Sequence, residues 1–230
     1  MEFRPSIMPF SVPQYISVVI IGGGQAGLSA SYCLRQRGVD DHVIFEKGRV
    51  GQSWREACAD GGRLATPNRE CLLPGNPYDG DDPAGFMTKA QVTAYIDRYM
   101  KKIRPPILEG AEVTLVGKEE GYFRVTSGKG LWYCDDVIVA IGGGAQPDFK
   151  FIELPVFNMR GFPEAERGVT SIPGLYFLGL PWMSSSDSAE GPGIAEDADH
   201  IAAQIAIGVE NDLNVPETQP SLSNSEPAIS

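Results

Sequence analysis

Three glycines carry the first chemistry in this chain: Gly22, Gly24 and Gly27, within VVIIGGGQAGLSASYCL at residues 18–34. They form G-x-G-x-x-G, directly after an apolar run and directly before a stretch with helical spacing. In that setting the first glycine makes the tight turn, the second lets a pyrophosphate touch the backbone, and the third lets the helix lie close on the sheet. Unpaired N–H groups and the positive end of the helix then face the phosphates. Glu46 closes the next apolar run, HVIFE. A carboxylate there accepts hydrogen bonds from ribose hydroxyls and repels a 2′-phosphate. The pattern implies a bound dinucleotide and leaves FAD and NAD both open.

Other reactive side chains are sparse. Only His42 and His200 could act as imidazole bases. His42 begins a strand pattern and His200 lies among acidic residues, so structural or solvated roles are expected for both. Cys33, Cys58, Cys71 and Cys134 match neither a zinc site nor a CxxC pair, and no metal is expected. Their bland reading is buried or idle thiols, with a relay through Cys58 and Cys71 as the sharper alternative. DGDD at residues 79–82 lacks the glutamate and alternation of an EF-hand and reads as a solvated loop.

The elements that must position the glycines follow from periodicity. The pattern predicts a buried strand from Ile16 to Ile21, a helix from Gln25 to Arg37 stopped by Gly38, and a strand from His42 to Glu46, together a βαβ unit. A second helix is predicted over Lys89 to Ile103, with Thr88 and Gln91 as a capping box and Pro105 and Pro106 forbidding continuation. Short strands are predicted at Ala111–Val116, Tyr122–Thr126, Leu131–Cys134, Asp136–Ile141 and Leu175–Leu178. A last helix from about Ile194 to Ile207 sets Ile194, Ala198, Ile201, Ala202 and Ile205 on one face and is expected to end at Gly208. The expected architecture is α/β, a parallel Rossmann-like sheet bearing a small antiparallel β-meander. Residues 1–14 read as an arm, 15–209 as a single domain and 210–230 as a disordered tail.

With 230 residues and 42% hydrophobic content the chain can bury a sizeable core. Thirty acidic against 19 basic side chains give a formal charge of −11, a field that repels nucleic acid and anionic membranes. The start of the chain lacks the pattern of a secretory signal, and no run reaches the roughly 18 apolar residues needed to span a bilayer. A cytoplasmic protein is the expectation, with neither nucleic acid nor membrane as partner.

Further segments carry a resemblance. IPGLYFLGL at residues 172–180, GPGIAEDADHIAAQIA near the last helix, GQSWREACADGGRLATPNRECLLPG at 51–75 and YDGDDPAGFMTKAQVTAYIDRY are similar to stretches of one group. That group is the flavin-containing monooxygenase-like branch of the FAD/NAD(P)-dependent, pyridine-nucleotide disulfide oxidoreductase-like superfamily, and the likeness runs from Val18 to about Ile207. The resemblance implies FAD as cofactor. It places Gly22, Gly24 and Gly27, with Gln25 and Ala26 between, at the FAD pyrophosphate, and Glu46 at the adenosine ribose with Lys47 beside it. Gln52, Ser53 and Trp54 would lie by the nucleotide or flavin, and Val113 would meet the adenine through its backbone. Asn68, in T-P-N with Thr66, would face the flavin as the catalytic candidate. Ala140, Ile141 and Gly142 resemble the A-T-G strand end that passes near FAD, with Ile141 in place of threonine. Gly179, Leu180, Gly193, Ile194 and Ala195 would sit near the ribityl chain and pyrimidine edge, where a helix N-terminus stabilises negative charge on reduced flavin.

Relatives in that superfamily insert a second glycine-turn unit for NADPH, whereas VIVAIGGGAQPDF continues here as a turn without a helix. The expectation is a minimal FAD domain lacking the inserted NAD(P)H domain. Ala59, where the branch commonly has an aromatic residue, would leave the wall by the flavin more open; Trp54, Trp182 and Met183 read as pocket walls, Trp182 equally as core. The function this implies is an FAD-dependent oxidoreductase, monooxygenase- or oxidase-like, acting on a small organic substrate. Its flavin would be reduced by that substrate or by an external flavin reductase. The alternatives are a non-redox FAD enzyme such as a cyclase or isomerase, and a flavin-binding sensor or interaction protein. A homodimer is plausible through the face where the inserted domain docks in relatives.

Overall fold

A computed structural model of the chain describes residues 12–57, 62–64, 67–70, 73–142, 147–180 and 192–213. In chain order the strands are β1 (Gln14–Tyr15), β2 (Val18–Ile21), β3 (His42–Glu46), β4 (Ile107–Glu109), β5 (Val113–Glu119), β6 (Tyr122–Ser127), β7 (Gly130–Cys134), β8 (Asp136–Val139), β9 (Ala165–Glu166), β10 (Val169–Thr170) and β11 (Leu175–Phe177). The helices are α1 (Gln25–Gln36), α2 (Gln52–Ala57), α3 (Lys89–Ile103) and α4 (Pro192–Leu213). One seven-stranded sheet runs β4-β3-β2-β8-β11-β10-β9, parallel from β4 through β11. Ile21 pairs with Phe45 on one side and Val139 on the other, so the carboxyl ends of β2, β3 and β8 are level. The sequence order reverses about β2, which opens a crevice outside those strand ends.

Alternate residues of β2 serve opposite layers. Val18 and Ile20 join a core with α1, α3 and α4, while Val19 and Ile21 join a core with the β-ribbon. Burial on both faces is why this strand is an unbroken apolar run. The ribbon is the antiparallel meander β5-β6-β7, and β1 adds to it parallel to β7. The last helix packs as its spacing predicts: Ile194, Ala198, Ile201, Ala202 and Ile205 are all buried in the core that holds α1. Arg37 and Asp199 pin the two helices at their rims with bonds of 3.0 and 2.7 Å.

Several boundaries differ from expectation. Ile16 is not in β2, because its N–H bonds the Tyr133 carbonyl beside the ribbon. Gln14, expected in a free arm, pairs with Trp132. α1 ends at Gln36, with Arg37 as its cap. The strand expected at Ala111–Val116 is displaced to Val113–Glu119, because the Ala111 N–H bonds Glu46 O and ties that residue to the end of β3. β8 and β11 stop at Val139 and Phe177, before the turns that begin the site. α4 does not end at Gly208 but continues to Leu213; an interior glycine costs a helix about 1 kcal/mol, and Val209 packs on the core one residue later. Of the tail expected over 210–230, residues 210–213 belong to α4 and 214–230 lie outside the described residues. The capping box on α3 is present as predicted, with Thr88 N–H donating to Gln91 Oε1 at 2.8 Å.

Between β8 and β9, where relatives are expected to insert a unit, residues 147–164 form a short connection. It is stitched to β5 by Val116 N–H on Phe151 O (2.6 Å) and Glu153 N–H on Val116 O (2.9 Å). Phe149, Phe157 and Phe177 pack edge to face or tilted beneath it.

Candidate functional site

The glycine turn sits at the level strand ends. Gly22 has φ +110°, and a Cβ there would overlap the Ala140 carbonyl oxygen. A Cβ on Gly27 would overlap the carbonyl oxygen of Gly22 itself. Both positions therefore admit no side chain, for two different backbone approaches. Gly24 caps α1 with extended backbone and no side-chain bond. No acidic residue occupies the first turn of α1, so nothing there opposes an anion. Gly179, φ +75°, follows β11 and meets the same turn: a Cβ on it would lie 2.8 Å from Ala26 Cβ. Thus Gly22, Gly24, Gln25, Ala26, Gly27, Ala140 and Gly179 gather at one place, as the sequence requires.

Glu46 closes the turn from below. Its Oε2 accepts from Gly23 N–H and its Oε1 from Gly48 N–H, both at 2.7 Å. Each carboxylate oxygen keeps a lone pair for a further donor. Lys47 beside it is exposed. Gly51, φ +68°, donates its N–H to Gly23 O at 3.1 Å, and Glu109 Oε1 accepts from Val50 N–H at 2.9 Å. Gly51 and Glu109 are supporting residues that sequence reasoning missed. The glycine spacing after Glu46 was a usable signal for the first, and nothing local marked the second. Gln52 bonds Glu56 along α2 at 2.6 Å, and Trp54 stacks on Tyr95 of α3 with ring centres 6.2 Å apart. Val113 is buried at the start of β5.

Asn68 lies in a single 3-10 turn, Asn68–Glu70, between α2 and α3. It is 5% exposed; its Nδ2 donates to Asp82 O at 2.8 Å and to the Tyr78 hydroxyl at 3.3 Å. No described group donates to its Oδ1, which is buried. Hydroxyls from α3 anchor the same loop. Tyr95 donates to Asn76 O at 2.7 Å and accepts from Leu73 N–H at 3.1 Å, and Tyr99 donates to Pro74 O at 3.0 Å. Tyr78, Tyr95 and Tyr99 were not read as site supports, since their spacing signals only an apolar helix face or a loop.

Gly193, Ile194 and Ala195 form the entry of α4, with Ile194 buried against the core of α1. Ile141 and Gly142 follow β8, Gly142 with φ +80°, and Leu180 is buried beside Gly179. Thr66, Cys58, Ala59, Cys71, Trp182 and Met183, and the side chain of Ser53, lie outside the described residues.

Among the described residues, His42, Cys33 and Cys134 are structural. His42 Nδ1–H donates to Val39 O at 3.1 Å, and its Nε2 accepts from Ser31 Oγ at 2.8 Å. Burial holds this imidazole below its usual pKa, which favours the neutral form. Burial pushes the Cys33 thiol up to about 12 and the Cys134 thiol up as well, which makes both inert. Among the described residues no cluster of His, Cys, Asp and Glu could hold a metal, and no helix is long and apolar enough to cross a membrane.

Residues 19–165 match the family profile described as pyridine nucleotide-disulphide oxidoreductase. The chain belongs to that family. Within this pyridine nucleotide-disulphide oxidoreductase family it is 30% identical, over 87% of its length, to an uncharacterized oxidoreductase CzcO-like protein of Geobacillus kaustophilus, of which it covers 53%. It is also 30% identical to indole-3-pyruvate monooxygenase YUCCA6 of Arabidopsis thaliana, over 56% of this chain and 32% of that protein. The chain thus spans about half the length, or less, of such relatives. A flavin-containing monooxygenase from Stenotrophomonas maltophilia shares the fold, with a TM-score of 0.69 at 17% identity over 85% of this chain and 99% of that one.

Proposed function

We propose that this chain is the FAD-binding unit of an oxidoreductase, monooxygenase- or oxidase-like, that acts on a small organic substrate. The observation that carries the reading is the bare backbone at the strand ends, where neither Gly22 nor Gly27 admits a Cβ. Such a surface fits a pyrophosphate pressed against main chain.

FAD, when bound, supplies the two-electron redox chemistry. The chain supplies position. N–H groups at the start of α1 hold the pyrophosphate, Glu46 receives ribose hydroxyls through its free lone pairs, and Gly179 leaves room at the next strand end. Gly193 to Ala195 present a helix entry to developing negative charge, and Asn68 offers a polar contact at the reacting face. In this reading the flavin is reduced by the substrate or by a separate flavin reductase. Residues 15–209 act as one FAD-binding domain in this reading, in the cytoplasm, with pairing of two copies as the assembly.

The visible spectrum of protein purified with or reconstituted with FAD tests it. A bound flavin spectrum is expected, followed by bleaching in anaerobic titration with a substrate or a reductase. A colourless protein that refuses FAD overturns the reading.

A further inference from the structure

We propose that a groove on the outer face of the β-ribbon binds a guanidinium or alkylammonium cation. The groove encloses about 630 Å³, within the range of about 300–1,000 Å³ usual for small-molecule sites. Its walls come from β1, from the hairpin joining β5 to β6, and from β7. Strand alternation sends Phe123 and Cys134 into the core and leaves their neighbours Tyr122 and Tyr133 for the other face. Tyr15 lies opposite Tyr133 in the parallel pair and meets Tyr122 edge to face, with ring centres 5.8 Å apart. Tyr15 is 56% exposed and Tyr122 46%, so both rings keep surface for a ligand.

The polar groups of the groove accept more than they donate. The Tyr133 hydroxyl donates to Glu119 Oε2 at 3.1 Å and the Tyr15 hydroxyl donates to Asp135, so both phenol protons are committed while their oxygens keep lone pairs to accept. Arg124 Nε lies 3.6 Å from the same Glu119 oxygen. Lys118 is drawn elsewhere, 4.7 Å from the centre of the Phe123 ring and 3.3 Å from the Pro173 carbonyl. Among the described residues nothing donates to Glu119 Oε1 or to the Glu120 carboxylate. Three carboxylates, Glu119, Glu120 and Asp135, thus stand in or against the groove with one guanidinium. Aromatic faces attract cations that come within about 6 Å, so the rings and the carboxylates call for the same ligand. The site is separate from the proposed cofactor site. It lies by the amino ends of β2 and β8, where Asp135 N–H bonds Ser17 O at 3.1 Å, whereas the glycine turn follows their carboxyl ends.

The full chain, carrying carbon-13 in its tyrosine rings, is titrated with n-butylguanidinium and with n-butylurea, which share shape and N–H groups but not charge. The ring signals of Tyr15, Tyr122 and Tyr133 should move, with the guanidinium bound about tenfold more tightly than the urea. That preference should fall to parity in the double variant Glu119→Gln, Glu120→Gln. Glu120→Gln alone changes an exposed side chain, should cost about threefold, and serves if the double variant fails to fold. Tyr122→Leu keeps apolar bulk without the ring and should weaken the guanidinium more than the urea. Acetyl-glycyl-arginyl-glycinamide separates the two sources of such a cation. Binding at least as tight as that of butylguanidinium assigns it to a protein side chain, weaker binding assigns it to a free small molecule, and both outcomes support the site. Equal affinity for the two probes overturns the proposal. So does a preference that survives the loss of both carboxylates, or a titration in which no tyrosine signal moves.

Discussion

Around the glycine turn, apart from the two bonds Glu46 accepts, the bonds run from backbone to backbone: Gly22 N–H to Phe45 O at 2.8 Å, Ala140 N–H to Ile21 O at 2.8 Å, Gly51 N–H to Gly23 O at 3.1 Å. Around Asn68 they run from side chain to backbone, through Tyr95, Tyr99 and the Asn68 amide itself. The first region is shaped by residues that lack side chains and the second by residues that spend theirs. Substitution should therefore act on the two in different ways: by intrusion at the turn, by loss of a tether at the loop.

The largest effect is expected from Gly27→Ala. Its methyl group meets a backbone carbonyl that cannot step aside. A stability loss of about 3 kcal/mol and a fall of more than about a hundredfold in FAD affinity are expected, read by thermal melting and flavin fluorescence. A yellow, fully stable variant would break the contrast.

Next is Tyr95→Phe, which keeps the stack on Trp54 but strands Leu73 N–H and Asn76 O. Urea unfolding should show a loss of about 2 kcal/mol. Protection of the Gly22 and Gly23 amides from hydrogen exchange should not change.

Glu46→Gln comes third. An amide cannot accept from Gly23 and Gly48 on both atoms, so one charge-assisted bond is lost and one N–H faces another. FAD should bind about tenfold more weakly, about 1.4 kcal/mol.

The smallest effect sharpens the far end of the same unit. His42 begins β3, away from the turn, and its folded pKa lies below the unfolded value of 6.5. The unfolded chain takes up the proton first as pH falls. His42 therefore contributes stability that is complete above that value and is lost as pH drops below it, by less than about 1.4 kcal/mol for each pH unit. The urea midpoint should fall between about pH 7.5 and about pH 5.5, and His42→Gln should flatten that slope.

The same contrast explains what could be read in advance. The spacing of Gly22, Gly24 and Gly27, the apolar run of β2 and the face of α4 are local patterns, and each landed in the element predicted, with β2 beginning at Val18 rather than Ile16. The loop was opaque because its order comes from hydroxyls on α3. Tyr95 and Tyr99 look in sequence like core positions, which they also are. Gly208 misled because a helix stop signal yields when the next residue finds the core. Asn68 was singled out by resemblance alone; its polarity becomes visible only when Asp82 and Tyr78 are seen against it.

α1 and β2 lie near the start of the chain, yet α1 is covered by α4 and β2 is paired with β8. During synthesis the phosphate turn would emerge early and wait, with one flank of its sheet and most of its helix bare, until residues near Ile205 had left the ribosome. Such distant pairing slows folding and leaves apolar surface open in the meantime. Completion of that turn is thus tied to the making of α4, far along the sequence.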